Sequence, residues 1–290
     1  MRPLFAALLV CVLTAPAFSQ AAPPEKTGYW HPFIRLPKDI LDDQKAIWTS
    51  PFHTAKKDIK WWAIFGSAEA ALLATDKWTV KQLPNTAGQV HLGNDVSVMG
   101  AAYTLIPIAA SFYFVGTSAR SERLRETGIL SIESLIDSTL VETVIKSATL
   151  RARPLDGNRK GGFWDGHGPQ WNASFPSGHS FKTFAVASVV AHEYSRTWWV
   201  KALAYGYAGS VAGARLAARR HFPGDVVAGG VMGWFIGDYV YNKRHNSELA
   251  RQPGAARKIL DHVRFRGRVP VNASPYSGFK CLSRNRALAA

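Results

Sequence analysis

The sequence predicts an all-α protein built as a single helical bundle of about five or six core helices. Three observations lead to this fold class. Apolar residues recur at helical spacing in several long segments, no run of alternating apolar and polar residues marks a sheet, and glycines and prolines cluster between the apolar segments. The chain of 290 residues is 47% hydrophobic, which is enough for a substantial core.

Residues 1–21 are typical of a secretory signal peptide. Arg2 precedes an apolar run, and small residues follow it, so that cleavage after Ser19 or Ala21 fits the pattern. An uncleaved membrane anchor is the alternative, although the run is shorter than the roughly 20 residues that a membrane span needs. We therefore expect an exported protein, periplasmic or otherwise extracytoplasmic.

The next segments lead into the helical domain. Residues 22–58 are rich in proline and polar residues and predict an irregular lead-in with one short helix near residues 40–48. The first apolar helix is predicted over residues 59–75. Residues 96–119 carry no charge and are long enough to cross a bilayer, with a kink expected at Pro107.

Residues 129–146 predict an amphipathic helix of a packed bundle. Its apolar residues recur at helical spacing: Ile129, Ile132, Ile136, Leu140 and Val144. Its acidic residues fall on another side: Glu133, Asp137 and Glu142. We expect the apolar stripe to face the core.

The remaining segments complete the domain, which is predicted over residues 59–245. A loop rich in glycine and proline covers residues 154–175. Further helices are predicted at about 180–193, 197–217 and 224–242. After them, residues 246–290 form a basic, irregular tail for which no function is evident.

The charge balance favours an anionic partner. The formal net charge is +15 and the isoelectric point is near 10. Phosphate esters, acidic lipid head groups and nucleic acid all fit such a charge, so the charge alone does not choose among them.

Residues that can bind an anion lie at three junctions between the predicted helices. In "KSATLRARP", Lys146 and Arg153 are about two helical turns apart, so both cations emerge on one side as the helix ends. Taken alone, Lys146 could instead pair with Glu142 one turn earlier, and an arginine at a helix C-terminus favours the helix dipole.

The second junction is "FPSGHS", at residues 175–180. Ser177 and Gly178 are ordinary residues for the start of a helix, and this is the simpler interpretation of the stretch by itself. The alternative is that backbone N–H groups and the Ser177 hydroxyl hold an anion at the helix N-terminus, with His179 beside it.

The third junction is "ARLAARRHFPGD", which contains Arg215, His221 and Asp225. A histidine held by a carboxylate is an oriented imidazole that is suited to act as a nucleophile or base. A plain hydrogen bond between His221 and Asp225 near a helix start is the alternative.

Together the three segments resemble the signature of the type 2 phosphatidic acid phosphatase and vanadium-dependent haloperoxidase superfamily. That signature reads here Lys146-x6-Arg153-Pro154, then Pro176-Ser177-Gly178-His179, then Ala214-Arg215-x5-His221-x3-Asp225. The one departure is Ala214, where the family usually has Ser, and we expect it to remove at most one hydrogen bond of about 1 kcal/mol. The segment that begins "HFPGDVV" is similar to the lipid-phosphatase branch.

The resemblance implies a role for each matching residue. Five residues would bind the phosphate: Lys146, Arg153, Ser177, Gly178 and Arg215. His221 would attack phosphorus and form a phosphohistidine, Asp225 would orient it, and His179 would protonate the leaving alcohol. Neither a metal nor another cofactor is expected, because three cations supply the charge that Mg²⁺ supplies in other phosphoryl transfers. Of the remaining histidines, only His167 lies where it could form the lip of this site.

The expected function is therefore a metal-independent phosphatase for phosphate monoesters, with a phosphorylated lipid favoured over a small soluble ester. Its partners would be that substrate and a membrane surface, and no nucleic acid is expected. A soluble periplasmic acid phosphatase of broad specificity is the alternative within the same chemistry. A vanadate-dependent haloperoxidase and a non-catalytic protein that binds anionic lipid are further alternatives.

Overall fold

The computed structural model describes residues 32–53, 58–155, 161–166 and 172–246. Over these ranges the protein is all-α and has no strand, which confirms the predicted fold class. The predicted signal peptide and all but the first residue of the predicted tail lie outside the described residues.

The helices are, in chain order, α1 Pro32–Thr49, α2 Ile59–Gln82, α3 Ala87–Ser97, α4 Ala102–Ser118, α5 Glu122–Thr149, α6 Gly178–Glu193, α7 Trp198–Ala217 and α8 Pro223–Arg244. Short 3₁₀ turns lie at Ser50–His53 and Val98–Gly100. The last three helices agree with the predicted segments to within a few residues. Helices α1, α2 and α5 are longer than predicted.

Helix α6 lies at the centre of the bundle and packs against α5, α7 and α8. The main core cluster joins apolar side chains of α5, α6 and α8: Leu130, Val141, Phe181, Val189, Ile236 and Val240. The three segments that carry the candidate site residues are therefore held by one core.

The uncharged run at residues 96–119 is interrupted near its start rather than at Pro107. The 3₁₀ turn Val98–Gly100 separates α3 from α4, and Pro107 lies within α4. Gly100 is required at this break, because a side chain there would collide with Val211 and press on His179. Among the described residues, Ala87–Ser118 is the one stretch long and apolar enough to cross a membrane.

Helix α5 is not amphipathic as predicted, because residues 126–138 are buried on most sides of the helix. Glu133 and Asp137 are 2% and 0% exposed, whereas Leu140 and Val144 are 42% and 50% exposed. Glu142 is buried as well. Leu140 and Val144 follow Glu133 and Asp137 by seven residues, or about two helical turns, so all four lie on one side of the helix and the two predicted faces are not separate.

The acidic residues of α5 are buried because each has a polar partner on a neighbouring element. Glu133 accepts a hydrogen bond from Nε of Arg244 at 2.9 Å, and Asp137 accepts one from the Gln44 amide at 2.8 Å. Glu142 contacts two lysines. A charge can be buried at tolerable cost when it is paired and hydrogen-bonded in this way.

Helix α1 is tied into the bundle through the same polar layer. Asp43 is fully buried and accepts hydrogen bonds from Lys243 at 2.6 Å and from Arg244 at 2.9 Å. The short helix expected near residues 40–48 of the lead-in is thus part of a longer helix that contacts α8.

Candidate active site

The predicted site residues lie at the adjoining ends of four helices. Lys146 is in the last turn of α5, Ser177 is the N-cap of α6, and Arg215 is in the last turn of α7. Asp225 is in the first turn of α8. Convergence of helix N-termini and cationic side chains favours binding of an anion.

The end of α5 directs its basic residues into this region. Leu150 has a left-handed backbone (φ 40°) and its N–H bonds to the carbonyl of Lys146, which ends the helix. Nζ of Lys146 lies 3.0 Å from Oε1 of Glu142, so the pairing considered as an alternative for this segment is present. Nε of Arg153 donates to the carbonyl of Asn172 at 2.8 Å, which fixes part of its side chain.

The turn before α6 is anchored to the start of α8. The Ser177 N–H donates to the carbonyl of Asp225 at 2.9 Å, and the Ser180 hydroxyl donates to the Ser177 hydroxyl at 3.2 Å. Gly178 is needed because the carboxylate of Glu142 occupies the space that a Cβ would fill. This steric reason for the glycine differs from the close phosphate approach expected from the sequence.

His221 has a defined tautomer. Its Nδ1 lies 2.7 Å from the backbone carbonyl of Ser174, and since a carbonyl only accepts, Nδ1 must carry the proton. Oδ2 of Asp225 is 3.6 Å from the same nitrogen, so it contributes by charge rather than by a direct hydrogen bond. Nε2 keeps its lone pair, as a nucleophile requires.

Asp225 is held by three donors. It accepts hydrogen bonds from the Ser174 hydroxyl, from the Phe222 N–H at 2.8 Å and from NH1 of Arg151 at 2.6 Å. Ser174 therefore serves both partners of the pair, with its hydroxyl on Asp225 and its carbonyl on His221. Ser174 therefore bridges Asp225 and His221, in place of the direct hydrogen bond expected between them.

Arg151 is a residue that the sequence analysis missed. Its side chain is 2% exposed, and NH2 donates to Oδ2 of Asp76 at 2.8 Å while NH1 holds Asp225. Its guanidinium also lies over the ring of Phe222, 4.5 Å from the centroid. The signal was visible in "LRARP", where a second arginine precedes the motif arginine by two positions, but its partner Asp76 is far away in sequence.

The pocket around the two histidines has an excess of positive charge. Burial, followed by Arg215 and His221, lowers the pKa of His179 to about 2, and burial and Arg215 hold the pKa of His221 well below its usual value. Arg215 is 7% exposed and its Nε has no hydrogen-bond partner among the described residues. Two neutral imidazoles beside such a cation attract an anion rather than a metal ion.

The structure thus brings together all eight predicted site residues at one end of the bundle, and their catalytic roles stay predictions. Ser174, Arg151 and Asp76 join them as residues that hold the site. His167, which was expected at its lip, lies outside the described residues.

Comparisons with known proteins agree with the motifs. Residues 128–248 match the PAP2 superfamily, which confirms the family predicted from the three segments. Among solved structures, the chain is similar to the first transmembrane PAP2 type phosphatidylglycerolphosphate phosphatase from Bacillus subtilis. The two are 21% identical with a TM-score of 0.46, over 73% of this chain and 96% of that one. A comparison with curated proteins gives no match.

Proposed function

Because residues 128–248 belong to the PAP2 superfamily, we propose that this protein is a phosphatase that hydrolyses the phosphate of a lipid. Phosphatidate and isoprenyl or other lipid pyrophosphates are the substrate types that fit. The observation that carries the proposal is the buried Arg215, whose Nε has no hydrogen-bond partner among the described residues and which lies next to His179 and His221. A phosphate dianion would supply the missing acceptor.

In the first step, Nε2 of His221 attacks phosphorus. The bond between phosphorus and the ester oxygen breaks, and His179, which takes up a proton when the dianion binds, donates that proton to the oxygen so that a neutral alcohol leaves. Lys146, Arg153 and Arg215 stabilise the charge on the non-bridging oxygens, and the donors of Ser177 and Gly178 assist them: the hydroxyl and the N–H, respectively.

In the second step, His179, now neutral, takes a proton from water. The hydroxide attacks the phosphohistidine, the bond from phosphorus to Nε2 breaks, and inorganic phosphate leaves. Ser174 keeps the proton on Nδ1 of His221 in both steps, so that Nε2 is always the reacting atom. The three cations carry the charge stabilisation, so the proposed reaction is independent of a metal.

A lipid is the favoured substrate because the outer faces of several helices are apolar. Trp61 of α2 is 61% exposed, Phe114 of α4 65% and Trp198 of α7 75%. Together with the exposed Leu140 of α5, these side chains suit a protein that associates with a membrane.

The domain organisation and location follow the same proposal. Residues 59–245 would form the catalytic domain, residues 1–21 would direct export, and residues 246–290 would form a basic tail. The active site would then work outside the cytoplasm at a membrane surface.

Phosphate release from phosphatidate in mixed micelles tests the catalytic proposal. We expect His221→Ala to abolish turnover and the exposed His91→Ala to leave it unchanged. With a radiolabelled phosphate ester, the wild-type chain quenched in alkali should retain label that acid removes, and His221→Ala should retain none. Normal turnover by His221→Ala would contradict the mechanism.

Two further measurements on the same protein distinguish a lipid phosphatase from the alternative, a soluble acid phosphatase. The soluble alternative predicts that p-nitrophenyl phosphate is hydrolysed better than phosphatidate. It also predicts that a carbonate wash without detergent releases the protein from membranes. We expect the reverse on both counts.

A further inference from the structure

A second cluster of ionisable side chains lies at the opposite end of the bundle from the candidate active site. Glu126 is near the start of α5, Glu193 ends α6, and His245 follows α8. The site residues occupy the other ends of these helices. Since α6 has 16 residues, the two regions are about 24 Å apart along it.

The three side chains meet at short distances. Nδ1 of His245 lies 3.2 Å from Oε1 of Glu126 and 3.7 Å from Oε1 of Glu193. One ligand atom from each residue lies within 4.8 Å of the others. Ligand atoms about 2.0–2.1 Å from a tetrahedral Zn²⁺ are about 3.3 Å apart, which is close to the two shorter separations.

Glu193 supplies an independent reason to look for a ligand. Its side chain is fully buried, yet neither carboxylate oxygen has a hydrogen-bond donor among the described residues. A buried carboxylate without a donor is costly, and its position against a second carboxylate adds to the cost.

The charges around the cluster leave room for a cation. The positive charge of Arg123 interacts with Glu193 and offsets the negative charge of one of the two carboxylates. The second carboxylate is offset either by a proton or by a metal ion.

We propose that Glu126, Glu193 and His245 bind a divalent transition-metal ion at this end of the bundle. Two carboxylates and one imidazole form a mixed oxygen and nitrogen donor set that suits Zn²⁺, with Mn²⁺ next. The ion ties together the ends of α5, α6 and α8. Its function is structural, because it lies far from the residues proposed to transfer phosphate.

The sequence does not predict this metal site, because the three residues are far apart in the chain and do not follow the short spacings typical of metal ligands. They meet only because α5, α6 and α8 pack side by side. The proposed metal-independent phosphatase and this site do not depend on each other, since one lies at each end of the bundle.

Titration calorimetry of the chelator-treated full chain with Zn²⁺ tests the proposal. We expect one ion per chain, a rise in the thermal unfolding midpoint on binding, and an unchanged initial rate of phosphate release. Glu193→Gln, which keeps the side-chain size, and His245→Ala should each weaken binding at least 100-fold. His91→Ala, which removes an exposed histidine paired with Asp95, controls for surface binding and should bind as the wild type does.

Two results would overturn the metal site. Absence of binding by the wild-type chain, or equal binding by the wild type and Glu193→Gln, would identify the cluster as a carboxylate pair that shares a proton. A Glu193→Gln chain that cannot bind but is more stable than the metal-free wild type supports the proposal, because it shows that the variant folds. Tighter binding of Mn²⁺ than of Zn²⁺, with the same dependence on Glu193, would support the site and assign it to Mn²⁺.

Discussion

The guanidinium of Arg151 holds the carboxylate of Asp225, with NH1 2.6 Å from Oδ1. Its other terminal nitrogen lies 2.8 Å from Asp76 in α2, and Asp76 also accepts the Gly224 N–H at the start of α8. Helix α2 lies outside the residues that match the family. The position of Asp225 therefore depends on a helix from the N-terminal part of the chain.

Two arginines separated by one residue should behave differently when each is replaced by lysine. Arg151 does not face the proposed phosphate, so Arg151→Lys should lower kcat at least tenfold with little change in KM, because lysine cannot hold two carboxylates as a fork does. Arg153→Lys should mainly raise KM, since Arg153 is proposed to bind substrate. Steady-state kinetics with phosphatidate measures both, and the opposite pattern would exchange the two roles.

The polar layer beneath α5 should contribute to stability. Arg244→Met leaves the buried Glu133 without its cation and removes one of the two cations that contact Asp43, and the free energy of unfolding should fall by about 3 kcal/mol. The double variant Glu133→Gln/Arg244→Met should recover part of this loss, because one of the stranded charges is gone.

Denaturant unfolding in detergent measures these changes, with the exposed Arg196→Met as the matched control. An Arg244→Met protein as stable as the control would show that this ion network does not stabilise the bundle.

How much of this fold the sequence could predict is clearest in α5. Spacing of apolar residues predicted the helix correctly but not which of its residues are buried. It could not predict that Glu133 and Asp137 face inward, because their partners Arg244 and Gln44 are about a hundred residues away in either direction. Helical spacing places residues around the axis, and tertiary contacts decide which of them are buried.

The candidate site shows the same limit. The motif residues could be predicted because their spacing is local to three helix junctions. Arg151 and Ser174 could not be distinguished from their neighbours, because their importance comes from Asp225, 74 and 51 positions away. The motif residues could thus be proposed from the sequence, whereas the residues that hold them in place could not.

The apolar surface of α7 should mediate membrane association. Trp198 is 75% exposed, and Trp198→Glu should reduce the fraction of protein that floats with phosphatidylglycerol vesicles, because a charge replaces an interfacial aromatic side chain. Arg196→Glu, in the turn just before α7, is the control for an added acidic residue near the same place. If Arg196→Glu reduces flotation more than Trp198→Glu, the attraction is electrostatic and α7 is not the contacting surface.

Anion binding to the active site should be coupled to uptake of a proton. In the ligand-free pocket the pKa of His179 is lowered to about 2, by burial first and then by Arg215, so the imidazole is neutral between pH 5 and 8. A bound dianion offsets the charge of Arg215 and raises this pKa toward its usual value near 6.5. A group whose pKa rises on binding makes the complex more stable as the pH falls.

Sulfate tests this coupling, because it mimics phosphate and its own charge stays constant over this range. Its inhibition constant should stay nearly constant above the pKa of His179 in the complex and decrease below that pKa, approaching tenfold per pH unit toward pH 5. His179→Gln should bind sulfate with much weaker pH dependence, whereas His91→Ala should retain the wild-type profile. A His179→Gln profile identical to that of the wild type would place the proton on another group and remove His179 from the role of general acid.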